Sequence, residues 1–418
     1  MTAPFYLLLA LVGIEYIGLY HYLPIIRSLH LATVLALGLT LYVIIKNGLK
    51  PAFEYKQTKL LLTFIAFTGV TILYAFIQIN AFVELKYHVG HFCLFISIFY
   101  LLSDHKKLHQ FIVFFVIVHL FIVIINLNKF GLAERSGAFN AGYFLGDGND
   151  LAWSMVITLP LTLYIFYSYN KIIGKSFGII AFLLILFGIM GTESRGAFLA
   201  LSAVLLYLII YSKKKVPIIL LVLATFVFAI KYSPENYQQR ISSIGNYRQD
   251  SSASSRIDAW RSAAQMAIDH PMGVGAGNFS SMFGRFYRDR FVDPTRWGSS
   301  RWMSSHSIYF SILAEYGALG VVLLLMILYC NYRDLRQIRH HVLENKTGTN
   351  SPENLYMFLN MSLIGYAIGG AFLGGIDYPH LYVISALVIS AKHITHKEEE
   401  NIQGKRTRGL DKIETNPR

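Results

Sequence analysis

The chain has 418 residues, 54% of them hydrophobic and only 15% charged. A soluble domain carries about 25% charged residues, so this composition excludes an ordinary soluble enzyme. The formal net charge of +13 raises nucleic acid as a partner, but in a chain this apolar the charges are read by the loops they occupy, and no nucleic-acid partner is expected.

A bilayer core about 30 Å thick requires roughly 20 mostly apolar residues per helix. Such segments are predicted at 4–22, 29–46, 60–80, 86–102, 110–128, 151–168, 176–191, 196–212, 216–231, 306–330, 355–375 and 378–395. The first, from Pro4 to about Tyr20, has no basic n-region and is followed by many like it, so it reads as a span and not as a signal peptide. The expected fold is all-α and polytopic: about twelve transmembrane helices and one large, partly helical extracytoplasmic loop. The organisation is nine spans over 1–231, the loop over 232–305, three spans over 306–395 and a basic tail over 396–418. Cys93 and Cys330 lie in separate predicted helices and suggest neither a disulfide nor a metal site.

Lysine and arginine in short loops set the orientation. With the N terminus in the cytoplasm, the inner loops 46–59, 103–109, 169–175, 212–215 and 331–354 hold fifteen basic residues, and the tail from Lys392 adds seven. The outer segments 23–30, 81–88, 128–150, 192–195 and 376–380 hold five. The loop 232–305 then lies outside. It carries nine arginines and no lysine. Retention of charge alone is served by lysine, so an arginine-only surface points to bidentate recognition of phosphate or carboxylate; the plainer alternative is a solvated loop. Within it Ser251 to Ser255 reads as a polar linker, with Ser255 as N-cap and Asp258 three residues on. A helix follows to Ile268, with Ile257, Trp260, Ala264 and Ile268 on one stripe. Asp269-His270-Pro271 stops it, because the residue before proline is pushed out of helical geometry, and Gly273, Gly275 and Gly277 make a flexible turn.

Several residues stand out in chain order. Arg135 precedes the Gly146-Asp147-Gly148-Asn149-Asp150 segment, which is a turn by composition; Asp147 and Asp150 alone do not make a metal site. His88 and His91 share a helix face with no carboxylate or cysteine partner and read as interfacial. Arg195, in Gly191-Thr192-Glu193-Ser194-Arg195-Gly196, is a charge near membrane depth, which demands a partner or a function; a hairpin neutralised by Glu193 is the structural alternative. Arg256 and Arg261 lie on the capped loop helix, where free N–H groups favour anions. His306 sits where the loop enters the tenth helix and is either a capping histidine or a proton acceptor. The sequence contains no Walker motif, no HExxH and no nucleophile elbow, so ATP-driven transport and hydrolase readings lack support.

His306-Ser307, nine residues, then Gly317-Ala318-Leu319-Gly320 resembles the H-[NSQ]-x9-G-x-x-G signature of bacterial O-antigen ligases and related O-oligosaccharyltransferases. Asp269-His270-Pro271 with Gly273 to Phe279 is similar to the segment preceding it in that superfamily. Thr192 to Gly196 is similar to its arginine-bearing element, and Gly137-Ala138-Phe139 with Asn149 to Ala152 to its outer loop. The resemblance covers residues from about 130 to 330. It implies a membrane glycosyltransferase of the bacterial inner membrane, with a periplasmic site and cytoplasmic termini. The donor would be a glycan on undecaprenyl pyrophosphate and the acceptor a hydroxyl of lipid A–core. No metal or nucleotide cofactor is expected, and membrane lipids are the surrounding partners. His306 would be the base, Arg195 and Arg256 would stabilise the leaving pyrophosphate, and Arg135 and Arg261 would assist in binding. The alternatives are an O-antigen or capsule polymerase or a protein O-oligosaccharyltransferase using the same donor, and, from another class, a polysaccharide transporter or flippase.

Overall fold

The computed structural model describes residues 3–19, 22–130, 139–212, 215–232, 251–292, 302–344 and 353–414. They are helical without any strand. A helix overlaps each position expected from the hydropathy: α1 Ala3–Ile17, α2 Leu31–Asn47, α3 Lys56–Thr71, α4 Gln78–Leu101, α5 His105–Ile125, α6 Gly148–Ser168, α7 Ile172–Gly191, α8 Arg195–Tyr211 and α9 Lys215–Tyr232; the span expected at 60–80 is broken by a turn over 72–77, and α4 starts earlier than expected. The loop helix α10 spans Ser251–Asp269, and α11 Ile308–Glu344, α12 Glu353–Gly369 and α13 His380–Glu414 complete the order. Among the described residues, α4, α5, α6, α7 and the Ile308–His340 part of α11 are long and apolar enough to cross a membrane, while α1, α2 and α8 are shorter apolar helices. The chain is a helical membrane protein.

Helix α6 is the axis of the bundle, packed between α7 and α12. Trp153 is fully buried, stacks on Tyr366 at 4.9 Å and donates its indole N–H to the Tyr366 carbonyl at 3.2 Å. Its ring fits because Gly369 and Gly374 have no side chain: a Cβ there would lie 2.3 Å and 2.0 Å from it. Three helix starts are fixed by side chains that satisfy free N–H groups: Asp104 accepts from the Lys107 amide at 2.9 Å, Asp147 from Asn149 at 2.7 Å and Ser194 from Ala197 at 3.3 Å.

The loop helix departs from its sequence reading in two ways. It begins at Ser251, so the segment expected as a linker and the cap expected at Ser255 are both helix. Its buried face is Ala259, Ser262, Ala263 and Met266, whereas Ile268 is 70% exposed. The helix packs small residues against α11, and Ala259, Ala263 and Met266 share a separate small core with Val274, Phe279, Phe283, Tyr287 and Ala314. Close approach of two helices favours alanine and serine over the larger side chains of the expected stripe, so packing overrides the simple apolar count. The stop is as read: α10 ends at Asp269.

Candidate active site

The glycine turn after α10 is joined to a kink in α11. Gly317 interrupts that helix with φ 65° and ψ −165°, a conformation glycine adopts without penalty. The break frees carbonyls that an unbroken helix would use internally. The Ala314 carbonyl accepts from the Val274 amide at 2.9 Å and the Glu315 carbonyl from Gly275 at 3.1 Å. The buried Glu315 carboxylate accepts from the amides of Gly277 and Phe279, both at 3.0 Å. Gly273, at φ 84°, and Gly317 interlock: a Cβ on Gly273 would lie 2.2 Å from the Glu315 oxygen, and one on Gly317 2.1 Å from the Pro271 oxygen. The Asp269 carboxylate anchors the other side, accepting from Tyr287 Oη and Gln265 Nε2, both at 2.8 Å, with Arg290 at 3.6 Å.

The same framework holds His306. Its backbone is left-handed, φ 49°, which is uncommon outside glycine and asparagine. Ser305 Oγ fixes this turn by donating to the Ser307 carbonyl at 2.8 Å and accepting from the Ser307 amide at 3.2 Å, while the Ile308 amide donates to Gly370 at 2.8 Å. Trp260 of α10 donates its indole N–H to the Ser305 carbonyl at 2.9 Å, stacks on Phe310 at 5.1 Å and meets Phe372 at 6.1 Å. Arg256 lies one turn before Trp260, hence on the same helix face. Burial lowers the His306 imidazole from its usual 6.5, Arg256 lowers it further, and Asp147 opposes both. The imidazole is therefore neutral near pH 7, within the electrostatic reach of one guanidinium and one carboxylate.

Arg195 opens α8, at the helix end adjoining this cluster. Its cap, Ser194 Oγ, donates to Asn149 Oδ1 at 2.9 Å, and the Asn149 amide donates to Asp147, the carboxylate that bears on His306. On the other side, Gly196 abuts Phe372 and Leu373, where a Cβ would lie 2.9 Å from each. Two independent contact paths thus join Arg195 to the His306 turn, one through Asn149 and Asp147 and one through Phe372 and Trp260. Glu193, at φ 52°, is buried beside it. Arg261 has a different setting: its side chain is 66% exposed and pairs with Asp258 at 3.7 Å on its own helix. Arg135 lies outside the described residues.

Asp147 and Asp150, considered above as metal ligands, have other partners: Asp147 caps α6, and Asp150 Oδ2 accepts from Tyr378 Oη at 2.7 Å. Among the described residues no group of three or more histidine, cysteine or acidic side chains is arranged to hold a metal. The sequence reading missed Asp147 as a neighbour of His306, Trp260 as the tether of that turn and Glu315 as the clamp of the glycine loop. All three carried a local signal: Trp260 as a stripe member and Asp147 as an aspartate ahead of a helix start. Glu315 lies inside an apolar helix, where an intramembrane carboxylate is itself a cue.

The His306 turn, the Trp260 face of the loop helix and the start of the Arg195 helix are thus joined in one cluster. Among known families, residues 180–325 match the model described as O-antigen ligase. The matched span runs from α7 through the loop helix to the kinked part of α11, so this part of the chain is similar to O-antigen ligases. A search of curated proteins gave no match.

Proposed function

We propose that the chain is a ligase-type glycosyltransferase that moves a glycan from undecaprenyl pyrophosphate to a hydroxyl of a lipid A–core acceptor. The observation carrying this reading is the His306 turn, tied to the loop helix by Trp260 and linked to the start of the Arg195 helix, with His306 feeling the charges of Arg256 and Asp147. In the reaction the acceptor oxygen attacks the anomeric carbon and its proton passes to His306. The bond from that carbon to the pyrophosphate oxygen breaks, and the electron pair leaves on the pyrophosphate. Arg256 and Arg195 stabilise that charge as it develops, which is where preorganised donors contribute most. The similarity to O-antigen ligases supports the reaction class, and the basic-residue distribution supports a periplasmic site in the inner membrane with cytoplasmic termini. Arg261 and Arg135 are proposed for peripheral contacts to the donor.

The test is glycan transfer by purified variants of confirmed membrane insertion. His306→Ala is expected to lose about 10²–10⁴-fold, as for removal of a general base. Arg195→Ala and Arg256→Ala are each expected to lose about 10²–10³-fold. Unchanged transfer by an inserted His306→Ala protein would remove the base assignment. Glycan on lipid A–core identifies a ligase, whereas longer chains on the carrier lipid identify a polymerase.

A further inference from the structure

Helices α3 and α4 meet in the turn over 72–77, and apolar side chains lie uncovered on both sides of it. Val70 and Leu73 lead into the turn and Ile79 and Phe82 lead out of it, all exposed; Leu73 is 80% exposed. Residues three apart share one face of a helix, and α4 is long and apolar enough to cross a membrane, so its Ile79–Phe82 face meets hydrocarbon. Lys86, one turn further along α4, lays its ammonium over the Phe82 ring at 5.4 Å. Side chains lean toward the start of their helix, so this lysine reaches back toward the turn, as one does near a membrane surface.

The uncovered surface continues onto the segment after the loop helix. Tyr74 Oη donates to the Met272 carbonyl at 2.8 Å, the Phe76 amide to the Val274 carbonyl at 3.1 Å, and the Phe76 ring meets Phe286 at 5.5 Å. Met272 is 57% and Phe286 54% exposed, although Val274, Phe283 and Tyr287 around them are buried in the small loop core. Phe286 belongs to a π-helical turn, Phe283–Tyr287, a winding found often at functional positions. The charges nearby are matched. Asp269 accepts from Tyr287 and Gln265 and lies 3.6 Å from Arg290, and Asp289 lies 3.7 Å from Arg288. Arg285 holds its guanidinium over the Phe76 ring, 5.3 Å from the centre. Residues 268–291 carry three arginines and two aspartates, so lipid phosphates meet no excess of negative charge there.

We propose that Met272 and Phe286, together with Leu73 and Phe76, insert into the lipid leaflet on the His306 side, making the loop a membrane-seated element. The partner is phospholipid, met at the boundary of headgroups and acyl chains, about 5–10 Å deep. Continuity with the α4 face selects lipid over a second copy of the chain, because the patch adjoins a surface already facing hydrocarbon. The contact is independent of the transfer reaction.

The test uses the full chain in nanodiscs of phosphatidylethanolamine and phosphatidylglycerol, with a nitroxide on Met272→Cys or Phe286→Cys. Both positions are exposed, so the labels leave the core intact, and the native Cys93 and Cys330 are buried. Ile79→Cys is the lipid reference. Glu398→Cys, exposed beyond the apolar part of α13, is the water reference. Oxygen concentrates in hydrocarbon and a neutral nickel chelate stays in water, so the ratio of their effects on relaxation reports each label's surroundings. Both loop labels are expected to show a ratio on the Ile79 side, favouring oxygen. A ratio like that of Glu398 at either loop label would put the patch in water and overturn the proposal. Protection from both reagents would mean that protein covers the patch, and would overturn it too. An Ile79 label favouring the chelate would remove the continuity on which the proposal stands.

Discussion

Trp260 donates its indole N–H to the carbonyl of Ser305 across 2.9 Å, joining the loop helix to the residue beside His306. The bond makes the position of the imidazole depend on the docking of α10, which carries Arg256 on the same face. Trp260→Phe keeps an aromatic ring over Phe310 and loses the hydrogen bond, a net contribution of about 0.5–1.5 kcal/mol. Transfer is expected to fall up to about tenfold with little change in the unfolding midpoint. Trp260→Ala also loses the ring pair, about 0.5–1.5 kcal/mol more, and is expected to be slower still. Rates measured beside thermal unfolding separate positioning from stability.

The charges that act on His306 predict opposite shifts in the pH profile. The proposed base would work as neutral imidazole, so transfer would be full above its depressed pKa and lost as pH falls through it. The acidic limb is therefore expected below pH 6.5. Arg256→Gln removes a group that lowers the pKa, so the limb moves up in pH, together with a lower maximum rate. Asp147→Asn removes the group that raises it, so the limb moves down. Transfer rates from pH 4 to 8 check both signs; a limb that stays fixed in both variants would remove His306 as the titrating group.

Gly317→Ala places a methyl 2.1 Å from the Pro271 oxygen on a backbone at φ 65°. That backbone, open essentially only to glycine, costs about 1–3 kcal/mol in another residue, and the overlap adds to it. Loss of the seated glycine loop and of transfer is expected, read as faster proteolysis within 251–292 of folded protein. Gly38→Ala, in open helical space, should be neutral or stabilising by up to about 1 kcal/mol.

Glu315→Gln is nearly isosteric but is not chemically equivalent here. The carboxylate accepts from two amides, Gly277 and Phe279. A carboxamide offers one oxygen and turns an NH2 toward the second N–H. An unsatisfied buried donor costs about 1–3 kcal/mol, so the loop is expected to loosen while the bundle stays folded. Hydrogen exchange of the 273–279 amides, faster in the variant and unchanged elsewhere, would check this.

Much of the helical order was legible from hydropathy, because each apolar run is long and bounded by charges or turns. The His306 to Gly320 spacing was legible as a pattern, and its physical content is now specific: Gly317 breaks α11 and exposes the carbonyls that receive the glycine loop. The face of α10 was misread because Ile257, Trp260, Ala264 and Ile268 are the apolar residues, whereas small Ala259, Ser262 and Ala263 allow the close approach to α11. The neighbourhood of Asp147 and His306 was invisible for another reason. The two are brought together only by the packing of the helices on which they sit, and no local pattern encodes that distance.

The interlock of Gly273 with Gly317 also sets an order of events during synthesis. The glycine loop precedes its receiving kink in the chain, so it emerges before there is anywhere for it to seat. Until α11 is threaded and broken at Gly317, the amides of Val274 and Gly275 have no carbonyls to meet and His306 has no fixed turn. The seated loop and the fixed His306 turn thus arrive late, with the completed bundle, so a nascent or mis-inserted chain lacks both.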